Sequence, residues 1–372
     1  MRIVVLGGCG DMGQGVTADL LAHTDAEVVI ADYRHGDAEA YAAQLGSRAT
    51  SAFVDANDAD SLAHVLHGAS AAVGAIGPFY HYAVKMASAA VNAEVNYVDI
   101  CDDHTPLAQL LALDGAARAA GCTVITGLGW TPGITNLMCR AGASQLQSVD
   151  EIRAAWAGGG QGPSGLAVLM HVFHCFTGQV LTYEGGRWTT VRAASGRELV
   201  DFGDSMGKLS VFHCGHPEPL TLPRYINTRT VSLKGTLTPA WNNALSDSFM
   251  RLWLSVLYRT GITQSHERME KLARVLYRME RRFGAVGVPY AAARVDVTGC
   301  HGGEPCTYSY RVVDKMRRLT GIPAAIGAHM LARGQISQKG VFAPEGCLDP
   351  QQFFSELAKR QIRIEELKPA MM

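Results

Sequence analysis

A glycine-rich hexapeptide near the start of the chain most constrains how this sequence can fold. The β-branched run Arg2–Leu6 predicts a buried strand, and Gly8-Cys9-Gly10-Asp11-Met12-Gly13 then matches G-x-G-x-x-G ahead of a helical stretch, 11–22. Such glycines allow a tight turn, let backbone N–H groups approach a pyrophosphate, and let the helix pack closely on the strand. The helix N-terminus adds a partial positive charge. The sequence therefore predicts a βαβ unit that binds a dinucleotide.

Short apolar runs alternate with amphipathic stretches along residues 1–132. Six candidate strands begin at residues 2, 28, 50, 71, 95 and 123, with a helix or helical turn between each pair. Strands of continuous apolar character are buried on both faces, as in a parallel sheet covered by helices. This rhythm predicts an α/β fold whose first domain, 1–132, is a doubly wound Rossmann sheet.

The pattern changes after residue 133, where strands become more frequent than helices. Candidate strands lie at 152–156, 188–192, 211–214, 229–234, 292–298 and 307–313, and candidate helices at 241–259 and 264–283. The turn His301-Gly302-Gly303-Glu304-Pro305 predicts a hairpin between the last two strands. Residues 133–319 are therefore expected to form a second, α+β domain with a mixed or antiparallel sheet.

Composition excludes several classes of partner. The chain has 33 basic and 34 acidic residues, so it has no basic field for nucleic acid. The sequence contains no run of about 18 apolar residues, so no membrane span is predicted. The start of the chain is expected to be a core strand rather than a signal peptide. The nine cysteines are scattered without a C-x-x-C pair, which favours a reducing compartment. We expect a cytoplasmic protein with a small-molecule substrate.

An acidic residue at the end of the second strand bears on the choice of cofactor. Asp32 lies about 20 residues beyond the glycines, where a carboxylate binds the adenosine ribose hydroxyls and repels a 2′-phosphate. This carboxylate favours NAD as the cofactor. Arg34 can pair with a 2′-phosphate, so NADP remains a possible cofactor. Asp55, Ile76 and Gly77 follow later strands and are expected to line the cofactor, although a helix cap or loop turn explains Asp55 equally well.

Three further segments point to a family. Gly77-Pro78-Phe79-Tyr80, then Tyr97-Val98-Asp99, then the segment from Gly127 to Asn136 resemble the saccharopine dehydrogenase-like family, and the closest type is lysine 6-dehydrogenase. The resemblance implies oxidation of an amino-acid C–N bond, or the reverse reductive amination, with a nicotinamide cofactor. It also implies that the second domain, 133–319, binds substrate and mediates formation of a homodimer or higher homo-oligomer. It further implies a C-terminal helical region, 320–372, that completes the Rossmann domain. The sequence departs from the family pattern at residues 100–104 (Ile-Cys-Asp-Asp-His), so the resemblance does not identify the substrate.

Candidate catalytic residues lie where the fourth and fifth strands end. Oxidation of an amine needs a base that takes a proton and a negative charge that stabilises the cationic imine. We assign these roles to His81, Asp99 and Asp102, against the alternatives of a surface histidine, a strand-end turn and a helix cap. Candidate substrate-binding residues are polar, aromatic or charged and lie near these strand ends or in the second domain: Tyr80, Trp130, Thr135, Asn136, His171 and Arg224.

Histidine pairs in the second domain are too weak a pattern to predict a metal. His171 and His174 are three residues apart, as are His213 and His216, but no Cys or Glu lies at a firm spacing from them. No metal site is predicted.

Three functions remain open from the sequence. The first is an NAD(P)-dependent amino-acid dehydrogenase of the lysine-deaminating kind. The second is a reductase that condenses an amine with an oxo acid or aldehyde, as in saccharopine or carboxynorspermidine formation. The third is a dinucleotide-binding sensor without turnover, which would not need the ionisable groups at the strand ends.

Overall fold

The chain folds as two compact units that are each built around one sheet. The computed structural model describes residues 1–158, 166–238, 266–283 and 290–371. The first unit comprises Met1–Leu137 and Arg317–Gln361, and the second comprises Met138–Met316 and Ile362–Met372. The helix expected at 241–259 and the first two residues of the one expected at 264–283 lie outside the described residues. Within these ranges no helix has the length and apolar character needed to cross a membrane.

The first unit is a parallel sheet of seven strands. In chain order they are β1 (Arg2–Leu6), β2 (Glu27–Asp32), β3 (Ala49–Phe53), β4 (Ala71–Gly74), β5 (Asn96–Asp99), β6 (Thr123–Ile125) and β15 (Gly340–Phe342). Their spatial order is β15-β6-β5-β4-β1-β2-β3, so the direction of winding reverses between β1 and β4. The α/β class and the doubly wound sheet predicted from the sequence are confirmed. Ligands of such sheets bind at the carboxyl ends of the strands, at the point of reversal.

Helices cover the sheet of the first unit. They are α1 (Asp11–His23), α2 (His35–Leu45), α3 (Ala59–Leu66), α4 (Phe79–Asn92), α5 (Leu107–Ala112), α6 (Asp114–Ala119), α11 (Met316–Ala332), α12 (Pro344–Cys347) and α13 (Pro350–Lys359). Apart from the edge strand β3, the strands between these layers are mostly apolar and buried, and together with the inner helix faces they form the core.

The C-terminal helices return to α1 through a close helix–helix contact. A Cβ atom on Gly321 of α11 would lie 2.8 Å from the backbone of Gly15 and Val16, so the two helices approach as closely as glycine permits. Arg360, which follows α13, forms a buried ion pair with Asp19 of α1. These contacts tie residues 317–361 to the first unit.

The last residues of the chain differ from the helical completion of the Rossmann domain expected for 320–372. Residues Glu365–Met371 form strand β16, which pairs antiparallel with β14 (Glu304–Lys315) in the second unit. The physical reason is that β14 would otherwise leave one edge of its backbone N–H and C=O groups without partners.

The second unit is a mixed sheet of nine strands. Besides β14 and β16, it contains β7 (Ser148–Gly158), β8 (Gln179–Glu184), β9 (Arg187–Arg192), β10 (Glu198–Asp201), β11 (Lys208–His213), β12 (Thr230–Leu237) and β13 (Tyr290–His301). The main path is β10-β11-β12-β7-β13-β14-β16, and β8 pairs with both β12 and β9. Within the described part of this second sheet, β7–β12 is the only parallel pair of strands. Its helices are α7 (Ile134–Ser144), which begins in the first unit, α8 (Leu166–Cys175), α9 (Glu218–Tyr225) and α10 (His266–Phe283).

The hairpin expected around residues 301–305 joins β13 and β14. Gly302 and Gly303 form its two-residue turn with φ of 62° and 90°. A type I′ turn needs positive φ at both positions, and glycine adopts it without strain. The glycine pair therefore sets the register of the two longest strands of this sheet.

Candidate dinucleotide and active site

The glycine loop folds back over the ends of β1 and β2. The backbone N–H of Gly7 donates to the carbonyl of Ala31 at 2.7 Å, and the N–H of Gly10 donates to the carbonyl of Gly7 at 3.0 Å. A Cβ atom on Gly13 would lie 2.2 Å from the Gly7 carbonyl oxygen. The helix α1 can therefore begin against the loop only because residue 13 has no side chain. This cradle of bare backbone fits the pyrophosphate of a dinucleotide.

Asp32 connects the end of β2 to the glycine loop. Its carboxylate accepts a hydrogen bond from the Cys9 N–H at 3.1 Å and another from the Arg34 N–H at 3.0 Å. Burial, followed by the Asp32 charge, raises the pKa of the Cys9 thiol to about 11, so this thiol stays protonated at neutral pH. Asp32 and the glycine loop, both predicted to bind the cofactor, are thus brought together.

Arg34 places a cation beside the Asp32 carboxylate. Its Nε lies 3.5 Å from Asp32 and its Nη1 lies 3.1 Å from Asp37, while 59% of its side chain remains exposed. The position predicted to bind the ribose therefore has one buried carboxylate and one accessible guanidinium.

Two exposed aromatic rings lie where β2 and β3 end. Tyr33 is 66% exposed and Phe53 is 47% exposed, and their ring centroids are 5.5 Å apart. Exposed rings at this edge offer faces on which a planar base can stack. The sequence analysis missed both residues, although an aromatic residue directly beside Asp32 was a visible signal. Asp55 makes the contacts of a loop turn, since its carboxylate accepts from the Asn57 N–H at 2.8 Å.

The turn after β4 lies directly beside the glycine loop. The Ala75 N–H donates to the Leu6 carbonyl at 2.8 Å. Ile76 Cγ1 lies 2.9 Å from the position that a Cβ on Gly7 would occupy, and Ile76 and Gly77 are half-buried. The predicted cofactor residues at β1, β2 and β4 therefore converge at the reversal point of the sheet.

Asp99, at the end of β5, is fully buried and holds two neighbouring turns. Its Oδ1 accepts from the Cys101 N–H at 3.0 Å, from the Gly127 N–H at 2.8 Å and from the Thr126 hydroxyl at 3.1 Å. Burial raises the pKa of Asp99 to about 6, although these three hydrogen bonds oppose the rise. Its contacts are those of a residue that positions the ends of β5 and β6.

The loop after β5 is tied to the start of α4 by Asp103. Its buried carboxylate accepts a hydrogen bond from the Tyr80 N–H at 3.0 Å, which satisfies one of the free donors of the helix N-terminus. Asp102 is half-buried in the same loop, and His81 is exposed in the first turn of α4, with its ring 4.5 Å from that of Tyr80. The structure therefore brings the predicted Tyr80, His81 and Asp102 into one region. Asp103, which the sequence places at the same strand end without a specific role, lies there as well.

Buried polar residues of the first unit support the segment that enters α7. Asn136 accepts a hydrogen bond from the Gly133 N–H at 2.9 Å through its Oδ1, and donates from Nδ2 to Glu345 at 2.9 Å. Thr135 and Trp130 are also buried in this segment. Glu345 lies more than 200 residues away in sequence, so no local pattern pointed to it.

The two remaining predicted substrate residues belong to the second unit. His171 is buried on α8, and its Nε2 lies 3.3 Å from Nε2 of His216. Arg224 is exposed on α9, and its Nε donates to the carbonyl of Leu220 in the same helix at 3.3 Å.

Two family models match the chain. Residues 3–125 match the saccharopine dehydrogenase NADP binding domain, and residues 265–362 match the saccharopine dehydrogenase C-terminal domain. The two matches together span more than half of the sequence and reach both units. The resemblance inferred from the sequence motifs is confirmed.

Solved structures agree with this fold. Saccharopine dehydrogenase (L-Glu forming) from Saccharomyces cerevisiae is similar with 16% identity and a TM-score of 0.71, over 99% of each chain. An engineered D-amino acid dehydrogenase has 16% identity and a TM-score of 0.46, over 97% of this chain and 99% of its own. The first likeness shows the fold, and the second is too distant to support an argument.

Proposed function

Because the chain belongs to the saccharopine dehydrogenase family of oxidoreductases that bind a nicotinamide dinucleotide, we propose that it oxidises the C–N bond of an amino acid in the manner of a lysine dehydrogenase. One observation carries this proposal. The glycine cradle and the ionisable groups at the ends of β4 and β5 lie at the same edge of one sheet. A protein that only sensed the dinucleotide would have no use for these groups.

The residues at this edge can divide the chemistry of amine oxidation. The bound dinucleotide supplies the hydride acceptor. His81, exposed in the first turn of α4, takes the proton that the substrate ammonium must lose before oxidation. Asp102 stabilises the positive charge of the substrate iminium, which water then converts to a carbonyl and ammonia. Asp99 is a positioning residue, since it holds the turns of β5 and β6 without being exposed.

For the cofactor we propose NADP, against the preference for NAD expected from Asp32 alone. The description of the matched N-terminal model names NADP, which supports this choice. The contacts around Asp32 offer a physical reason. Two backbone N–H groups and the Arg34 guanidinium moderate its negative charge, and the exposed guanidinium is available to a 2′-phosphate.

The proposal is tested by following the absorbance of reduced nicotinamide with the full-length protein. NADP⁺ or NAD⁺ is mixed with a panel of amino acids headed by L-lysine and saccharopine, and the reverse direction is run with NADPH or NADH, ammonia or amines, and oxo acids. We expect turnover with one amino acid. Tight dinucleotide binding without turnover in either direction would contradict a dehydrogenase and favour the sensor.

A matched pair of variants tests the base. His81→Gln is expected to lower kcat by about 10²–10⁴-fold, the usual contribution of a general base. His64→Gln, an exposed histidine on α3, is the control and is expected to retain wild-type kcat. Equal activity of the two variants would remove His81 from the mechanism.

A further inference from the structure

Three side chains with metal-binding atoms meet inside the second unit, and the proposed function uses none of them for catalysis. His171 and Cys175 lie on α8, and His216 lies between β11 and α9. One potential ligand atom from each residue lies within 4.8 Å of the other two, and all three residues are buried. The two imidazoles already contact each other, and a divalent cation bound between them would replace that contact with metal–ligand bonds.

Local structure explains why two of these side chains converge. His171 and Cys175 are four residues apart on one helix, so their side chains project from the same face. His216 reaches them from a segment 45 residues further along the chain. Together they present two imidazoles and one thiol, a donor set that suits Zn²⁺ rather than the harder Mg²⁺ or Ca²⁺.

The spacing of the two imidazoles fits a shared ion. Zn–N bonds of about 2.0–2.1 Å at a tetrahedral angle place two nitrogens about 3.3 Å apart. The observed distance between Nε2 of His171 and Nε2 of His216 is 3.3 Å. A hydrogen bond between neutral rings has a similar length, so the metal must be tested directly.

Glu218 supplies the outer contact that metal-bound histidines commonly have. Its carboxylate is fully buried, and its Oε2 lies 3.7 Å from Nδ1 of His216, on the side of the ring opposite the cluster. Such a carboxylate fixes the ring orientation and leaves Nε2 as the ligand atom.

We propose that the second unit binds one Zn²⁺ ion through Nε2 of His171, Sγ of Cys175 and Nε2 of His216, with Glu218 orienting His216. Three protein ligands leave a fourth tetrahedral position for water or for a polar group of a ligand.

The first test measures metal in full-length protein prepared without a histidine tag. After chelator treatment, Zn²⁺ is titrated against a chromophoric chelator, and we expect one tight site per chain. Cys175→Ser, His171→Gln and His216→Gln are expected to abolish tight binding, whereas Glu218→Gln weakens it by about 10–100-fold. The matched controls are Cys306→Ser, a buried cysteine of the same unit, and His174→Gln, on the same helix as His171. Both should bind like wild type.

A spectroscopic test uses the wild-type protein and so does not depend on the folding of a variant. Co²⁺ replaces Zn²⁺ and should give intense visible bands of tetrahedral coordination together with a thiolate charge-transfer band in the near ultraviolet. The charge-transfer band should disappear in Cys175→Ser. Substoichiometric Zn²⁺ binding by wild type, or a Co²⁺ spectrum of octahedral type without the thiolate band, would overturn the proposal. The readouts are metal content and spectra, so they stand apart from any result on turnover.

Discussion

The Asp32 carboxylate accepts a hydrogen bond from the backbone N–H of Cys9, 23 residues earlier in the chain, at 3.1 Å. This hydrogen bond therefore couples the conformation of the glycine loop to the acidic end of β2. The same carboxylate also accepts from the N–H of Arg34. Changes to the charge at this point should alter both the shape of the loop and the choice of cofactor.

Arg34→Ala should weaken the binding of NADPH more than the binding of NADH. Loss of a charge-assisted contact to a 2′-phosphate costs about 1.5–3 kcal/mol, or roughly 10–100-fold in Kd, and NADH has no such phosphate. Fluorescence titration of both reduced cofactors measures the two constants. Arg333→Ala, an exposed arginine of the same unit, is the control. Equal losses for the two cofactors would show that Arg34 does not read the phosphate.

Gly13→Ala should prevent dinucleotide binding by disrupting the glycine loop. The new Cβ would lie 2.2 Å from the Gly7 carbonyl oxygen, which is backbone and cannot yield without moving the loop. The control is Gly36→Ala in α2, where a Cβ meets nothing within 4 Å and alanine favours the helix. Titration with NADPH should show no binding for the first variant and wild-type affinity for the second. Wild-type binding by Gly13→Ala would refute the described loop.

Asp99 should make folding stability depend on pH between about 4 and 6. An unfolded aspartate titrates near ~3.9, whereas burial raises the pKa of Asp99 to about 6 in the folded protein. In this window the folded state keeps a proton that the unfolded state has released, so stability falls as pH rises and is level above the window. The two-unit difference amounts to about 3 kcal/mol.

Asp99→Asn should remove this contribution. Urea denaturation at several pH values gives the free energy of unfolding of wild type and variant. The contribution of Asp99 is the part of its pH dependence that is present in wild type and absent in the variant. Asp60→Asn, an exposed residue of α3, should keep the wild-type slope. Parallel curves for wild type and Asp99→Asn would show that the buried carboxyl keeps an ordinary pKa.

Arg360→Ala should destabilise the first unit by about 3 kcal/mol, because the buried Asp19 carboxylate loses its guanidinium partner and keeps only the more exposed His23 imidazole beside it. The guanidinium Nε lies 2.9 Å from Asp19 Oδ2, and both side chains are almost fully buried. Burial already raises the pKa of Asp19 despite this partner.

The double variant Asp19→Leu with Arg360→Met should recover most of the loss, since it removes both charges at similar volume. Lys359→Ala, which removes an exposed cation and leaves Glu356 paired with Arg360, should change the urea midpoint little. A double variant as unstable as Arg360→Ala would show that packing, rather than the uncompensated charge, dominates.

Much of the predicted dinucleotide site could be inferred from the sequence because the residues that define it lie close together in the chain. The strand Arg2–Leu6, the glycines and Asp32 lie within one βαβ segment, and the chemistry of a tight turn allows few alternatives. Asp99 and Asp102 could be placed near this site because parallel strands end at the same edge of a sheet. The surroundings of each carboxylate could not be predicted, since the full burial of Asp99 and its three hydrogen-bond donors from two separate segments arise only in the folded chain.

The sequence by itself determined the α/β class, the dinucleotide loop, the family and the Gly302-Gly303 hairpin, because periodicity and glycine conformation act over short stretches of chain. Only the tertiary structure decided that β16 completes the second sheet, that Asn136 pairs with Glu345, and that His216 joins His171 and Cys175. These pairings join segments tens to hundreds of residues apart. Their partners are chosen by the free-energy cost of leaving buried polar groups unsatisfied, and that cost exists only once the chain has packed.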